Sequence, residues 1–300
     1  MEYSVVDIPE TSGFYDFIKK YRSLIGVKLL SNESTHSAVL SVKETDSKLA
    51  YPNRISLSNT TDGTAVTSYG CILRCGTDNP KYLVVKRKES PGYIDIVHGS
   101  YRQSQLYFIL QELSPEERHR LVTWKYRDLW YDLHLKAPEG SNYSHGKAAW
   151  KELVKILPEL CKFVEYREEN RKRMWLFPKG RLTWCKPEDI QETPLECAIR
   201  EFKEETNGIC LHAIGAEKVF ENPISEKHLG SNSKLYQTLY YVYKCDTLPE
   251  ITQFPLNTDG LRDVSSGEVE NIQLVDLKDI EGILSKERCD IINYIEQHKG

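Results

Sequence analysis

Three glutamates within five residues are the side chains whose type and spacing most clearly suggest a chemical role. Glu204 and Glu205 lie three and four residues after Glu201, so a helix would place all three on neighbouring positions of one face. Like charges at this spacing destabilise a bare helix by about 0.2 to 0.5 kcal/mol per pair, so a positive partner is expected. Hard divalent cations bind oxygen ligands and keep coordination sites for phosphates. The spacing predicts a metal-binding surface; a solvated acidic helix face is the alternative.

Local signals predict the helix that would carry these glutamates. Thr193-Pro194-Leu195-Glu196 is a capping box with proline at the first helical position, so the helix should begin at Pro194. Four apolar residues with helical spacing are expected to form its buried stripe: Leu195, Ala198, Ile199 and Phe202. The three glutamates would then lie on a separate, water-facing surface.

The segments around this helix complete a motif. Phe177-Pro178-Lys179-Gly180 and Glu192 precede it, Arg200 comes directly before Glu201, and Thr206-Asn207-Gly208-Ile209 follows. Together they resemble the Nudix box, G-x5-E-x7-R-E-U-x-E-E-x-G-U, in which U is aliphatic or aromatic. The resemblance implies that Glu201, Glu204 and Glu205 bind Mg2+ or Mn2+. It also implies that Gly180, Glu192 and Arg200 support the loop, with Glu192 paired to Arg200.

The sequence departs from the box at two points. Gly180 lies twelve residues before Glu192 instead of six, so residues 181–191 are predicted to form a longer loop. Asn207 stands where the box has glycine, and asparagine also tolerates the left-handed conformation that a helix terminus needs. Both departures are compatible with the geometry that the box implies.

A fourth carboxylate is expected after the motif helix, because Nudix folds usually supply one from a loop or strand edge. The segment 267–274 is similar to the sequence that commonly does so, and Glu268 aligns best. Glu270 is the substitute candidate. The predicted catalytic and metal-binding set is therefore Glu201, Glu204, Glu205 and Glu268.

The order of predicted elements indicates an α/β fold, a Nudix α/β/α sandwich with a mixed sheet interrupted by a helical insertion. The predicted strands are Tyr69–Arg74, Tyr82–Lys86, Gly92–Val97, Met174–Phe177, Leu235–Tyr243 and Val269–Val275, and a last helix is expected at Ser285–His298. The predicted Nudix domain comprises residues 67–102 and 174–300, and the insertion residues 103–173. Residues 1–66, with one predicted helix at Phe14–Ile25, form an extension of unknown role.

The insertion points to a class of substrate. With the segments 96–101 and 124–131 it resembles the mRNA-decapping Nudix enzymes of large cytoplasmic DNA viruses, the poxvirus, asfarvirus and giant-virus forms. The resemblance implies hydrolysis of the 5' cap of mRNA to 7-methyl-GDP and 5'-monophosphate RNA. Candidate RNA- or cap-binding residues are Lys179, Arg171, Lys172, Arg173, Trp124 and Tyr236, with Tyr240 as a further ring. The alternative is a Nudix enzyme for small molecules, dinucleoside polyphosphates or diphosphoinositol phosphates.

Composition sets the remaining limits. The formal net charge is -4, and no long block of like charge marks a nucleic-acid-binding tail. Eight cysteines without a C-x-x-C pair favour buried thiols in a reducing compartment over a zinc site. The sequence contains no run of about 18 apolar residues, the usual minimum for a membrane span. We expect no membrane partner and a cytoplasmic location, the host cytoplasm for a viral protein; the oligomeric state stays open.

Overall fold

The computed structural model describes most of the chain after residue 63. The described residues are 4–6, 20, 28–32, 35–40, 56–57, 63–102, 105–135, 137–164, 166, 168–185, 190–230, 234–253 and 268–298. Apart from Lys20, the predicted helix Phe14–Ile25 lies outside them, as does much of the N-terminal extension.

Fourteen strands occur among the described residues. They are β1 Ser4–Val6, β2 Lys28–Asn32, β3 Thr35–Leu40, β4 Ser56–Leu57, β5 Val66–Cys75, β6 Lys81–Arg87, β7 Trp175–Leu176, β8 Lys179–Gly180, β9 Trp184–Cys185, β10 Ile190–Gln191, β11 Glu217–Lys218, β12 Ile224–Leu229, β13 Leu235–Cys245 and β14 Val269–Asp276.

The described α-helices fall into two groups along the chain. Those between Lys88 and Trp175 are α1 Pro91–His98, α2 Leu106–Glu112, α3 Pro115–Thr123, α4 Tyr126–His134, α5 Gly140–Leu153, α6 Leu157–Leu160 and α7 Glu168–Arg173. The later ones are α8 Pro194–Glu205, α9 Ile280–Ile283 and α10 Lys286–His298. Short 3-10 helices occupy Cys161–Phe163 and Leu277–Asp279.

The main sheet is mixed, and it confirms the predicted α/β class. Its strand order is β14-β6-β5-β13-β12-β4, with β7 beside β6, β8 beside β5 and β11 beside β13. The long central strands β5 and β13 are parallel, whereas β6, β12 and β14 pair with antiparallel neighbours. β1, β3 and β2 form a separate antiparallel sheet.

Both faces of the main sheet bury apolar side chains against helices. Cys71 and Leu73 of β5 pack in one cluster with Phe202 of α8. Ile72, which points to the opposite face because side chains alternate along a strand, packs in a second cluster with Ile292 of α10. This alternation produces the α/β/α layering that the sequence predicts.

The predicted strand Gly92–Val97 is wrong, because this segment is the helix α1. The Ser90 hydroxyl accepts a hydrogen bond from the Tyr93 backbone N–H at 3.1 Å, and Pro91 occupies the first turn. Gly99 ends the helix with φ 67°, the left-handed conformation of a helix terminus. These capping signals outweigh the alternating apolar pattern of the segment.

The chain divides into two compact units, one grouping Met1–Ala50 with Glu89–Asn170 and the other Tyr51–Lys88 with Arg171–Gly300. We call Glu89–Asn170 the helical segment; Arg171–Arg173 belong to the unit that contains the main sheet. Within the helical segment, a buried cluster includes Tyr93, Leu129 and Trp130. No helix in the described part of the chain is long and apolar enough to span a membrane.

Candidate active site

The helix α8 is built as its local sequence predicts. The Thr193 Oγ1 accepts a hydrogen bond from the Glu196 N–H at 3.3 Å, and the Glu196 carboxylate accepts one from the Thr193 N–H at 2.8 Å. Cys197, Ala198 and Phe202 are buried. Ile199 is 39% exposed, contrary to its predicted place in the buried stripe, because the buried face is rotated towards Cys197.

The three glutamates of α8 differ in their exposure, so they do not share one water-facing surface. The Glu204 side chain is 59% exposed and that of Glu201 16%. Glu205 is half-buried, and its carboxylate accepts a hydrogen bond from the Lys179 backbone N–H at 2.7 Å. Burial raises the pKa of Glu205 to about 8, although the Lys179 N–H opposes the shift.

Arg200 supplies the positive partner that the clustered glutamates require. Its Nε and Nη2 donate to the two carboxylate oxygens of Glu192 at 2.8 and 3.1 Å, and Nη2 also donates to the Arg181 carbonyl at 3.1 Å. Its Nη1 donates to Glu201 at 2.9 Å and to Glu204 at 3.0 Å. The bond from Arg200 lowers the pKa of Glu192. The guanidinium thus joins the loop to the carboxylate helix.

Gly180 makes room for one of these carboxylates. In β8 it lies opposite Tyr69 of β5. A Cβ atom at position 180 would lie 2.0 to 2.2 Å from the carboxyl atoms of Glu201, far inside van der Waals contact. Only glycine therefore allows the Glu201 carboxylate to approach the backbone at this point.

Glu268, unlike Glu270, acts electrostatically on the α8 carboxylates. Burial raises the pKa of Glu201, and the charges of Glu204 and Glu268 raise it further. The Glu268 charge also contributes to the raised pKa of Glu205. Glu270 instead forms an ion pair with Lys86 at 2.8 Å. Glu268 therefore stays the predicted fourth carboxylate, and Glu270 is occupied by Lys86.

The donor set fits a hard cation, since Mg2+ and Mn2+ prefer carboxylate oxygens. Glu201, Glu204, Glu205 and Glu268 would supply those oxygens. Among the described residues, however, no three acidic, imidazole or thiol side chains are grouped closely enough to hold an ion. Arg200 Nη1 donates to one oxygen of Glu201 and to one oxygen of Glu204, which leaves the second oxygen of each carboxylate available for a cation.

A charged cluster that the sequence analysis missed surrounds Lys179. Burial lowers the pKa of the Lys179 ammonium to about 8; Arg87 and Arg288 lower it further, and the charges of Glu205 and Glu226 oppose them. These groups belong to β6, β12, α8 and α10, which are distant in sequence. The sequence alone does not show that Glu226 acts on Lys179, because this depends on how β12 pairs with β13.

Of the predicted rings, Tyr236 is half-buried and Tyr240 is fully buried. Tyr240 therefore cannot stack on an external base. Tyr236 stacks on His228, with ring centroids 5.4 Å apart and an interplanar angle of 14°. Glu226, two residues before His228 on the same face of β12, is buried. Trp124, in the helical segment, is 38% exposed, and the Arg120 guanidinium lies 5.7 Å from its ring centroid.

The predicted basic residues have partners in the structure. The Lys172 ammonium donates to the Glu281 carbonyl at 2.6 Å, and Arg173 lies 3.7 Å from the Glu287 carboxylate. Arg171 and Arg173 are exposed. Arg120 of the helical segment forms ion pairs with Glu89 at 2.6 Å and Asp132 at 2.5 Å, so its charge is largely compensated.

Residues 162–292 match the NUDIX domain family. This range contains the carboxylate helix, the Glu192–Arg200 pair and Glu268. The chain therefore contains a Nudix domain, the domain of the Nudix hydrolases, as the sequence predicts.

The relatives with known names are viral proteins. The chain is 28% identical over 151 residues to the mRNA-decapping protein g5R of African swine fever virus (isolate Warthog/Namibia/Wart80/1980); the match covers 47% of this chain and 58% of that protein. It is 24% identical over 203 residues to a putative mRNA-decapping protein of Acanthamoeba polyphaga mimivirus, covering 58% of this chain and 54% of that one. The chain thus spans little more than half the length of these relatives.

A solved structure, a binary complex of the C. elegans Ap4A hydrolase, is 12% identical, with a TM-score of 0.39. The similarity covers 78% of this chain and 96% of that one.

Proposed function

We propose that this protein hydrolyses the 5' cap of mRNA in a reaction that depends on Mg2+ or Mn2+, releasing 7-methyl-GDP and 5'-monophosphate RNA. The observation that carries the proposal is the set of carboxylates on α8: Glu201 and Glu204 accept from Arg200, Glu205 accepts from the Lys179 N–H, and the Glu268 charge acts on Glu201 and Glu205. A carboxylate cluster of this kind suits attack of water on a diphosphate linkage.

Each residue of the site has a separate role in the proposed reaction. Glu201, Glu204, Glu205 and Glu268 would hold the cations, which supply Lewis acidity at the phosphate oxygens and an activated water when bound. Glu192 fixes Arg200 through two hydrogen bonds, so it is a positioning residue. Gly180 leaves the space that Glu201 occupies. Lys179 stands beside this set with its ammonium partly desolvated, where it would attract the phosphates.

The surroundings of Tyr236 support a cap as the substrate. A methylated guanine is cationic and planar, and it binds favourably against aromatic faces. The stacked Tyr236 and His228 rings provide such a face, and the Glu226 carboxylate on the same side of the sheet would accept the N–H groups of guanine. The names of the two viral relatives fit this substrate, and a cytoplasmic site of action, in an infected host, follows from it.

One observation favours the alternative, a Nudix enzyme for dinucleoside polyphosphates or diphosphoinositol phosphates. Arg118 and Arg120 of the helical segment make internal hydrogen bonds to the Val164 carbonyl and to Glu89. Their guanidinium groups are therefore less available to bind RNA phosphates. A small-molecule site would need only the Lys179 cluster.

Competition by uncapped RNA separates these two functions. Turnover of a small cap analogue is measured with increasing uncapped RNA, at low and high salt. If RNA occupies the same protein surface, uncapped RNA inhibits, and affinity for capped RNA falls with a logarithmic salt slope of about -0.7 per phosphate contact. Turnover that ignores RNA at every salt concentration would favour the small-molecule function.

A further inference from the structure

The residue after the carboxylate helix ties it to a distant segment. Asn207 has φ 53°, and its Nδ2 donates to the carbonyls of Thr252 at 3.1 Å and Gln253 at 3.3 Å. An amide group has two N–H donors, so both bonds can form together. Glycine, which the Nudix box has at this position, would accept the same backbone conformation but form neither bond.

Gln253 continues the connection to the strand β14. Its Nε2 donates to the Ile272 carbonyl at 2.6 Å, and its Oε1 accepts from the Ile272 N–H at 3.1 Å. One side-chain amide thus satisfies both backbone groups of a single strand residue. Because β14 is the last strand of the main sheet, beyond β6, the amide takes the place of a neighbouring strand there.

The strand held in this way begins next to Glu268. The Glu268 carbonyl accepts a hydrogen bond from the N–H of Lys88, the residue after β6, at 2.9 Å. β6 pairs with one side of β14, and Gln253 binds the other side at Ile272. The Glu268 charge acts on Glu201 and Glu205 of α8. The distance between Glu268 and the carboxylates of α8 therefore depends on the side chains that connect α8 with β14.

We infer that Asn207 and Gln253 are positioning residues that hold Glu268 at a fixed distance from the carboxylates of α8. The connection runs from the end of α8 through Asn207 to Gln253, and from Gln253 to Ile272 of β14. The inference rests on the proposed function, because it takes Glu268 as a ligand of the cation. It requires that cation affinity depend on two amide side chains that coordinate nothing.

Matched variants separate positioning from simple support of the fold. Asn207→Gly keeps the left-handed backbone and removes the two side-chain bonds, and Gln253→Ala removes the bonds to Ile272. Asn170→Ala is the control, because Asn170 also donates from Nδ2 to a backbone carbonyl, that of Gln111, within the helical segment. Glu268→Gln tests the ligand itself. Thermal unfolding of each variant shows that it is folded.

Two readouts avoid the need for turnover. Hydrogen exchange of the Ile272 amide in the metal-free protein should become about tenfold faster or more in Gln253→Ala, because its acceptor is gone. Mn2+ affinity, measured by electron paramagnetic resonance, should fall about tenfold in Asn207→Gly, Gln253→Ala and Glu268→Gln. Asn170→Ala should match the wild-type protein in both measurements.

The outcomes test the inference separately from the proposed function. Unchanged Mn2+ affinity in Asn207→Gly and Gln253→Ala would overturn it, and so would unchanged affinity in Glu268→Gln, even if the wild-type protein cleaves capped RNA. If affinity falls as expected while the wild-type protein leaves capped RNA intact, the positioning role stands and the proposed substrate is wrong.

Discussion

Replacing Gly180 by alanine should separate activity from stability. The new Cβ would lie 2.0 Å from the Glu201 carboxyl carbon, and side chains essentially never approach closer than 3.0 Å, so the carboxylate must retreat by the difference of 1.0 Å. The clashing atoms are the far end of a flexible side chain, which can rotate away without moving the backbone. The main effect should fall on the reactive geometry.

The magnitudes of the two effects differ widely. A misplacement of about 1 Å at a reacting centre can reduce turnover about 100-fold. Gly180 has no positive φ, so alanine is compatible with the backbone and stabilises the folded state by about 0.4 to 1 kcal/mol through the unfolded chain. The loss of Glu201 contacts opposes this stabilisation. The two effects partly cancel, so the melting temperature should change by no more than about 4 °C.

Two other glycines provide controls for this prediction. A Cβ at Gly282, in α9, meets no atom within 4 Å, so Gly282→Ala should preserve both turnover and stability. A Cβ at Gly70 would lie 2.4 Å from the Pro178 carbonyl oxygen, so Gly70→Ala should unfold the protein at lower temperature. Turnover and thermal unfolding are measured for all three. Wild-type turnover in Gly180→Ala, or loss of activity only through unfolding, would refute the reasoning.

Three further predictions concern the carboxylates and the basic residues. Glu204→Gln should abolish hydrolysis yet leave the melting temperature unchanged, because the side chain is exposed; normal turnover at saturating Mg2+ would contradict the role of Glu204. Glu192→Gln should lower stability by about 1 kcal/mol and turnover partially; a stable, inactive variant would indicate direct catalysis. Neutralising the basic residues Arg171, Lys172 and Arg173 should weaken capped-RNA binding and reduce its salt slope while sparing turnover of a small cap analogue; unchanged RNA affinity would exclude them from the RNA-binding surface.

A fifth prediction follows from the raised pKa of the half-buried Glu205 in metal-free protein. Its folded-state pKa of about 8 exceeds the usual value of 4.5, so between these pH values the folded protein binds more protons than the unfolded chain. Stability should therefore fall as pH rises from about 5 to about 8, and Glu205→Gln should reduce this slope. Thermal unfolding at several pH values, with chelator present, measures it; equal slopes would contradict the assignment.

Local signals in the sequence predict the parts of the fold that depend on neighbouring residues. The capping box at Thr193 and the spacing after it place α8 correctly, because a helix start is decided within four residues. The same kind of signal is present at Ser90, but the alternating pattern of Gly92–Val97 led to the wrong prediction of a strand there. The helix cap at Ser90 and the proline at Pro91 determine that this segment is helical.

Features that depend on distant contacts could not be predicted in the same way. The exposure of Ile199 follows from how α8 lies on β5, which periodicity alone leaves open. The role of Arg200 as partner of Glu201 and Glu204 requires side-chain geometry. The cluster around Lys179 brings together Arg87 and Arg288, which are about 200 residues apart in sequence, so only the folded sheet brings them to one site.

The central claim is that the carboxylate cluster hydrolyses an mRNA cap, and product analysis tests it most directly. RNA with a labelled 7-methylguanosine cap is incubated with wild-type protein and with Glu204→Gln, each with Mn2+ or Mg2+ and with chelator. The proposal predicts that only the wild-type protein with metal releases labelled 7-methyl-GDP. Intact cap under every condition, from protein that still hydrolyses a dinucleoside polyphosphate, would contradict it.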